Sequence, residues 1–344
     1  MKAAPVIAAL RGHAVTQRLV HTGQHYDALL SDVFFAELDL PAPDANLGVG
    51  SGTQAEQTAA LLTGLEATFA ADDPGLVVVY GDVNSTLAAA LVAAKGGYPL
   101  AHVEAGLRSF DPTMPEETNR RVTDALADLA LATSPEAVAH LAREGVAAEA
   151  IHLVGNPMID SLVAARDRLD PEGERAAAGL PQRYAVATLH RPSNVDEPDQ
   201  AARVAAALAE VGRRVPVLLP LHPRGRKALT DAGLDRAEGV RLVEPLGYVA
   251  FLSLVAGAAL VITDSGGVQE ETTILDVACL TLRDNTERPI TLTHGTNRLV
   301  SPESLPPAAD AILDGTASFP TRRPPLWDGH AGVRIAEVLA AAVS

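Results

Sequence analysis

The sequence predicts a doubly wound α/β protein of two domains, and three observations carry that prediction. Short, continuous apolar runs alternate with Ala-rich amphipathic stretches almost throughout, the pattern of parallel strands buried on both faces and covered by helices. The 344 residues exceed what one hydrophobic core organises comfortably and fit two domains of ordinary size. Strand ends repeatedly run into polar, ionisable or glycine-rich turns, where open parallel sheets hold their ligands.

Taken in order, the strand candidates are Ala14–Val20, Leu76–Tyr80, Leu100–Val103, Ile151–Val154, Ala185–Leu189, Val217–Pro220, Arg241–Val243, Leu260–Thr263 and Cys279–Leu282. Helical stretches lie between them at Gln54–Phe69, Thr86–Ala94, Pro115–Leu129, Pro135–Arg143, Ala201–Arg213 and Tyr248–Ala256. The charged segment Arg166–Arg183, with Pro171, Gly173, Gly179 and Pro181, reads as the linker. It divides the chain into a domain over 1–165 and a second over 166–329. The chain opens directly on a helix-like run, Ala3–Arg11, although a Rossmann-type half normally begins with its central strand.

Composition narrows the function. Hydrophobic residues make up 47% with only 3% aromatics, so the cores are built of Ala, Val and Leu. No run of about 18 uncharged apolar residues is present, so no membrane span is expected, and the N-terminus lacks a signal-peptide cleavage region. The single Cys279 sits in an apolar run; it reads as a core thiol of a cytoplasmic protein. Forty-three acidic against 27 basic residues give a net charge of −16, which argues against a nucleic-acid surface. No HxH, HExxH or Cys/His spacing indicates a metal, no GxGxxG follows a strand, and no P-loop is present.

Six strand ends carry candidate chemistry: HTGQHYD from His21, GDVNST from Gly81, EAGLR from Glu104, HRPSN from His190, HPR from His222 and DSGG from Asp264. Each alone is also ordinary turn chemistry. Together they describe a cleft with one carboxylate-rich wall and one basic, anion-binding wall. In LVITDSGGVQEE, Leu260–Glu271, a buried strand feeds a helix whose first residues are Ser265, Gly266 and Gly267. Its unpaired N–H groups and dipole suit a phosphate, and Glu271 lies where a carboxylate meets ribose hydroxyls. Asp82 reads as an acid/base group or a helix N-cap. Glu104, a carboxylate at the edge of a core, needs a partner or a task. Glu116 and Glu117 follow Pro115, where the helix dipole alone favours acids. His190 beside Arg191 reads as a site residue, and Arg283 and Arg288 as solvated charges or phosphate ligands.

The motifs HTGQHYD, VYGDVNST, AHVEAGLRSFD with MPEETNR, TLHRPSNVD, VEPLGY, LVITDSGGVQEE, LRDNTERP and GTNRLV together resemble the non-hydrolysing UDP-N-acetylglucosamine 2-epimerases over nearly the whole chain. The resemblance implies a GT-B fold of two Rossmann-like domains with a cleft between them, and a C-terminal helix over about 330–344 crossing back to the first. It implies interconversion of UDP-GlcNAc and UDP-ManNAc by anti elimination of UDP to 2-acetamidoglucal and re-addition, feeding cell-surface polysaccharide. A cytoplasmic homodimer without cofactor or metal is expected. Residue by residue, it assigns acid/base roles to Asp82, Glu104 and Glu116, and UDP to the Ser265, Gly266 and Gly267 amides with Arg288, His190 and Glu271. Arg120 is expected to pair with a carboxylate or phosphate near the sugar. A second UDP-GlcNAc is implied as an activator near Gln24, His25 and His222, although HPR departs from the HxNP of regulated members. Asp276-Val277-Ala278 replaces the family's Gly-x-Pro. A hydrolysing epimerase, a 2-epimerase of a UDP-diacetamido sugar, and a GT-B glycosyltransferase or nucleotide-sugar-binding regulator are the competing readings. In the family a first strand ending in a GTRPE turn precedes the helix matching Met1–Leu10. We expect that strand to be missing because the start is assigned too late, leaving the chain as written poorly folded and weakly active.

Overall fold

The computed structural model describes residues 1–23, 35, 37–221, 223–320 and 322–343. The chain forms two units: Met1–Ala164 with Pro325–Ser344, and Ala165–Pro324.

In the first unit, α1 (Ala3–Leu10) leads to a short parallel pair, β1 (Val20–His21) with β2 (Ala45–Asn46). Then α2 (Gln54–Asp72), β3 (Val77–Tyr80), α3 (Asn84–Gly96), β4 (Leu100–Ala105), α4 (Pro115–Leu126), β5 (Leu129–Ala132), α5 (Pro135–Arg143), β6 (Ile151–Leu153) and α6 (Pro157–Ala165) alternate. The four longer-range strands form a parallel sheet in the order β3-β4-β5-β6. Leu100 packs with Val77, Val79 and Leu61 on one face, and Ala101 and Val103 pack with Val6 and Leu131 on the other. This two-sided burial is why these strands read as continuous apolar runs. The helix α2 is started by a capping box, Thr53 with Glu56.

The second unit runs α7 (Pro171–Ala177), β7 (Ala185–Thr188), α8 (Pro192–Val195), α9 (Pro198–Gly212), β8 (Val217–Pro220), α10 (Pro223–Asp231), β9 (Val240–Val243), α11 (Tyr248–Ala256), β10 (Leu260–Thr263), α12 (Gly266–Leu275), β11 (Cys279–Leu282), α13 (Ile290–Thr293), β12 (Asn297–Val300) and α14 (Leu305–Leu313). Its parallel six-stranded sheet has the order β12-β11-β10-β7-β8-β9. Leu260 and Ile262 enter one core with Ala185 and Ala187, while Val261 enters the other with Val186. The helix α15 (Ala331–Ala342) belongs to the first unit. There Asp160 accepts hydrogen bonds from the Ala331 and Gly332 amides, satisfying its first turn. Gly332 lies so close to Pro5 that a Cβ would meet its carbonyl carbon at 2.8 Å.

Three sequence expectations change. The run Ala14–Val20 contributes only its last residue to a strand. Leu129, read as the last residue of a helix, instead opens the buried strand β5, Leu129–Ala132, which is absent from the strand candidates above, because an Ala-rich four-residue run has no periodicity to separate helix from strand. The segment Arg166–Arg183 is not an open linker. It folds as α7, capped by Asp170 through the Gly173 amide, and the Asp170 amide is fastened to the Ser253 hydroxyl of α11.

Candidate active site

In the first unit the turn after β3 and the C-terminal end of β4 bring two carboxylates beside one another. Gly81, Asp82 and Val83 lie between β3 and α3, and α3 starts without a side-chain cap. The N-cap reading of Asp82 is therefore corrected: its carboxylate is taken by Arg120. The Arg120 Nε and Nη2 donate to Oδ2 of Asp82 at 2.9 and 2.7 Å, and Nη1 reaches Glu117 at 2.7 Å. Arg120 is 2% exposed, so this charge pairing is largely desolvated and geometrically fixed. Asn119 holds the Asp82 carbonyl at 2.8 Å.

Glu104 is buried and has a φ of +74°, at an irregularity where the β4–β5 register shifts between Val103 and Ala105. A bulge re-aims one side chain, and a left-handed non-glycine residue costs on the order of 1–3 kcal/mol that the surroundings must over-determine. Oε2 of Glu104 pairs with the ammonium of Lys2, at the start of α1. A Cβ on Gly81 would lie 3.4 Å from that same oxygen, so the Glu104 carboxyl rests against the turn bearing Asp82. Asp82, Glu104 and Arg120 are thus brought together. Glu116, in the first turn of α4, is half-buried and not drawn into this network. Its neighbour Glu117 accepts from the Ser109 and Phe110 amides as well as Arg120. Lys2 carried no signal in the sequence and Glu117 read only as an acid favoured by the helix dipole, since their partners are far away or at a loop.

In the second unit the centre is Asp264 at the end of β10, completely buried. It accepts from the His190 and Arg191 amides, the Asn194 side chain and the His190 ring, whose Nδ1 lies 2.9 Å away. Burial works to raise the Asp264 pKa, but the His190 ring, the Arg191 amide and Asn194 hold it below the usual carboxylate range. The half-exposed His190 ring is held by this Nδ1 contact with Asp264.

The helix α12 begins immediately after, at Gly266, with no side-chain cap. Its first amides therefore lack intrahelical acceptors. The Ser265 amide is an exception to the expected trio, since it donates to Thr263 Oγ1 at 3.0 Å; Gly266 and Gly267 supply the open N–H groups. The Arg288 guanidinium covers this end: a Cβ on Gly266 would lie 2.8 Å from its Cζ and 2.8 Å from Glu287 Oε1. Arg288 is fixed by Glu270 at 2.6 Å and by Glu287, which also binds Arg283 at 2.6 Å. Glu271 is buried beside Tyr248, and burial, aided by the nearby Glu270, pushes its pKa up to about 8 although hydrogen bonding with Tyr248 opposes this. Cys279 is buried in β11, which pushes its thiol up to about 11. Gln24, His25 and His222 lie outside the described residues.

Against known proteins, the sequence model of UDP-N-acetylglucosamine 2-epimerase matches residues 8–340. The chain belongs to the UDP-N-acetylglucosamine 2-epimerase family. It is 39% identical to the UDP-N-acetylglucosamine 2-epimerase of Methanocaldococcus jannaschii, covering 98% of this chain and 95% of that protein. It is 40% identical to the UDP-2,3-diacetamido-2,3-dideoxy-D-glucuronate 2-epimerase of Pseudomonas aeruginosa, covering 85% and 82%. The crystal structure of the M. jannaschii enzyme in complex with UDP-GlcNAc and UDP is similar with a TM-score of 0.91 at 39% identity, covering 99% of this chain and 96% of that one. The UDP-GlcNAc 2-epimerase from Neisseria meningitidis bound to UDP-GlcNAc is similar with a TM-score of 0.89 at 26% identity, covering 99% and 96%. The two parallel-sheet units are the Rossmann-like domains of this family's GT-B fold. No helix among the described residues is long and apolar enough to cross a membrane.

Proposed function

We propose that this epimerase-family chain interconverts UDP-GlcNAc and UDP-ManNAc. The observation that carries the reading is the pairing of Asp82 with Arg120 and of Glu104 with Lys2 on adjacent strand ends, two carboxylates held beside each other and each facing a cation. The C2 hydrogen of the sugar is barely acidic, so loss of the C1–O bond must run ahead of its removal and leave positive character at C1. Ionised carboxylates nearby stabilise that charge. A carboxylate takes the C2 proton, the C1–O bond breaks, and UDP departs with the bonding pair to leave 2-acetamidoglucal. A carboxylic acid then returns a proton to the opposite face of C2 while UDP re-forms its bond to C1. Asp82, Glu104 and Glu116 share these proton transfers. Coupled carboxylates titrate as a set.

Departing UDP gains negative charge, and we assign its stabilisation to the Gly266 and Gly267 amides, the helix dipole, Arg288 and the His190 ring. Glu271 takes the ribose hydroxyls. The enzyme works as a cytoplasmic homodimer supplying ManNAc-type precursors for cell-surface polysaccharide, and sedimentation velocity tests the dimer. The decisive experiment is incubation with UDP-GlcNAc in D₂O followed by NMR. Appearance of UDP-ManNAc with deuterium at C2 in both sugars is expected. Free ManNAc with stoichiometric UDP would instead make the enzyme a hydrolysing epimerase, and no C2 exchange at all would refute the reading. The 40% identity to the P. aeruginosa enzyme favours a second substrate class, a UDP-2,3-diacetamido uronate; the same assay with that sugar, compared through kcat/KM, decides between them.

A further inference from the structure

One buried ionisable group in the first unit has no part in the chemistry above. His102, in the middle of β4, is 0% exposed. Its Nε2 lies 2.8 Å from the Gly81 carbonyl oxygen and its Nδ1 2.6 Å from Oδ1 of Asp124, on α4. A carbonyl oxygen can only accept, so Nε2 carries a hydrogen. Asp124 is itself an acceptor for the Gly106 amide at 3.0 Å and for the Arg108 guanidinium at 2.7 Å, both through Oδ2. Burial opposes its ionisation, yet the charges of His102 and Arg108 and the Gly106 amide hold its pKa below the usual range. His102 Nδ1 rests against the other oxygen of that carboxylate. Arg108 is balanced in turn by Glu144, Nε to Oε1 at 2.9 Å. His102, Asp124 and Arg108 thus form a continuous chain of buried polar contacts that Arg108 carries outward to Glu144, each charged group with a partner.

The two backbone groups gripped by this pair are the informative part. The Gly81 carbonyl, held by His102, immediately precedes Asp82. The Gly106 amide, held by Asp124, lies two residues after Glu104, whose left-handed φ requires outside support. One buried His102–Asp124 contact thus fastens both the turn bearing Asp82 and the turn that directly follows Glu104 at the end of β4.

We propose that His102, buried and held between the Gly81 carbonyl and Asp124, is a positioning residue that sets the Asp82 turn and the end of β4 bearing Glu104 relative to one another. This rests on the reading of those carboxylates as the acid/base groups. Loss of His102 leaves Asp124 its Arg108 and Gly106 contacts, and circular dichroism and thermal unfolding check that the variants fold. The experiment combines ring ¹⁵N NMR of the full chain with kinetics of His102→Phe and His102→Gln. At pH 7.5 the Nε2 of His102 should carry hydrogen; a ring protonated only at Nδ1 overturns the proposal. In His102→Phe, kcat for UDP-GlcNAc should fall by about 10- to 100-fold, the scale of a slight misplacement of reacting groups, while KM and UDP affinity stay within about twofold. His102→Gln, whose amide can still donate to Gly81, should recover part of the loss. An unchanged kcat, or UDP affinity falling in step with kcat, overturns the positioning role. If the wild-type chain exchanges no C2 hydrogen, the reading of the carboxylates fails instead. The clamp is then decided by hydrogen exchange at the Gly106 amide, faster in His102→Phe if the clamp exists and unchanged if it does not.

Discussion

Replacing Glu271 by Gln should make the protein more stable at alkaline pH while damaging its nucleotide site. Glu271 is buried, and its carboxyl is raised from 4.5 to about 8, by burial first and by Glu270 second. In the unfolded chain it ionises near its ordinary value. Between those two pH values the folded state binds the extra proton, so stability falls as pH rises through this window and the loss is complete above about pH 8. At about 1.4 kcal/mol for each tenfold, the ceiling on the loss is about 5 kcal/mol. Relaxation and water entry on ionisation bring the expected value to about 2–4 kcal/mol. Gln has the same shape and cannot ionise, so the variant should match the wild type near pH 5 and exceed it at pH 9. Urea unfolding at pH 5, 7 and 9 measures this directly. Proton release adds a second check: ribose hydroxyls donate best to the ionised carboxylate, so UDP binding near pH 7 should release a fraction of a proton in the wild type and none in the variant. A stability difference between variant and wild type that does not change with pH would refute the reasoning.

Other substitutions probe the remaining contacts. Gly266→Ala drives a methyl group into Arg288 and Glu287; UDP affinity by calorimetry should fall about tenfold or more, a loss of about 1.4 kcal/mol or greater, and an unchanged affinity would remove this helix end from the nucleotide site. Asp264→Asn leaves buried amides of His190 and Arg191 facing an amide donor or a weaker acceptor; unfolding should register a loss of about 1–3 kcal/mol, with kcat falling more than KM changes as the His190 ring loses its fixed orientation. Arg120→Lys keeps the charge but cannot span Asp82 and Glu117 with three N–H groups; kcat in the D₂O exchange assay should drop by about 10-fold or more, and retention of full exchange would make Arg120 a purely structural ion-pair partner.

The sequence by itself determined the architecture. Runs such as Leu100–Val103 and Leu260–Thr263 are buried on both faces, so their composition announces a covered parallel sheet without knowledge of the partners. It also placed Asp82, Glu104, His190 and the Gly266-Gly267 turn at strand ends, because strand ends are local features of the chain. Only the tertiary structure decided what each group touches. Lys2 meets Glu104 across 102 positions, Arg120 meets Asp82 across 38, and Asp264 meets the His190 amide across 74. The pairing of His102 with Asp124, on a different element, likewise has no local signature. The left-handed backbone of Glu104 and the upward shift of Glu271 arise from packing around them, since strain and desolvation belong to the surroundings of a residue and composition reports only the residue.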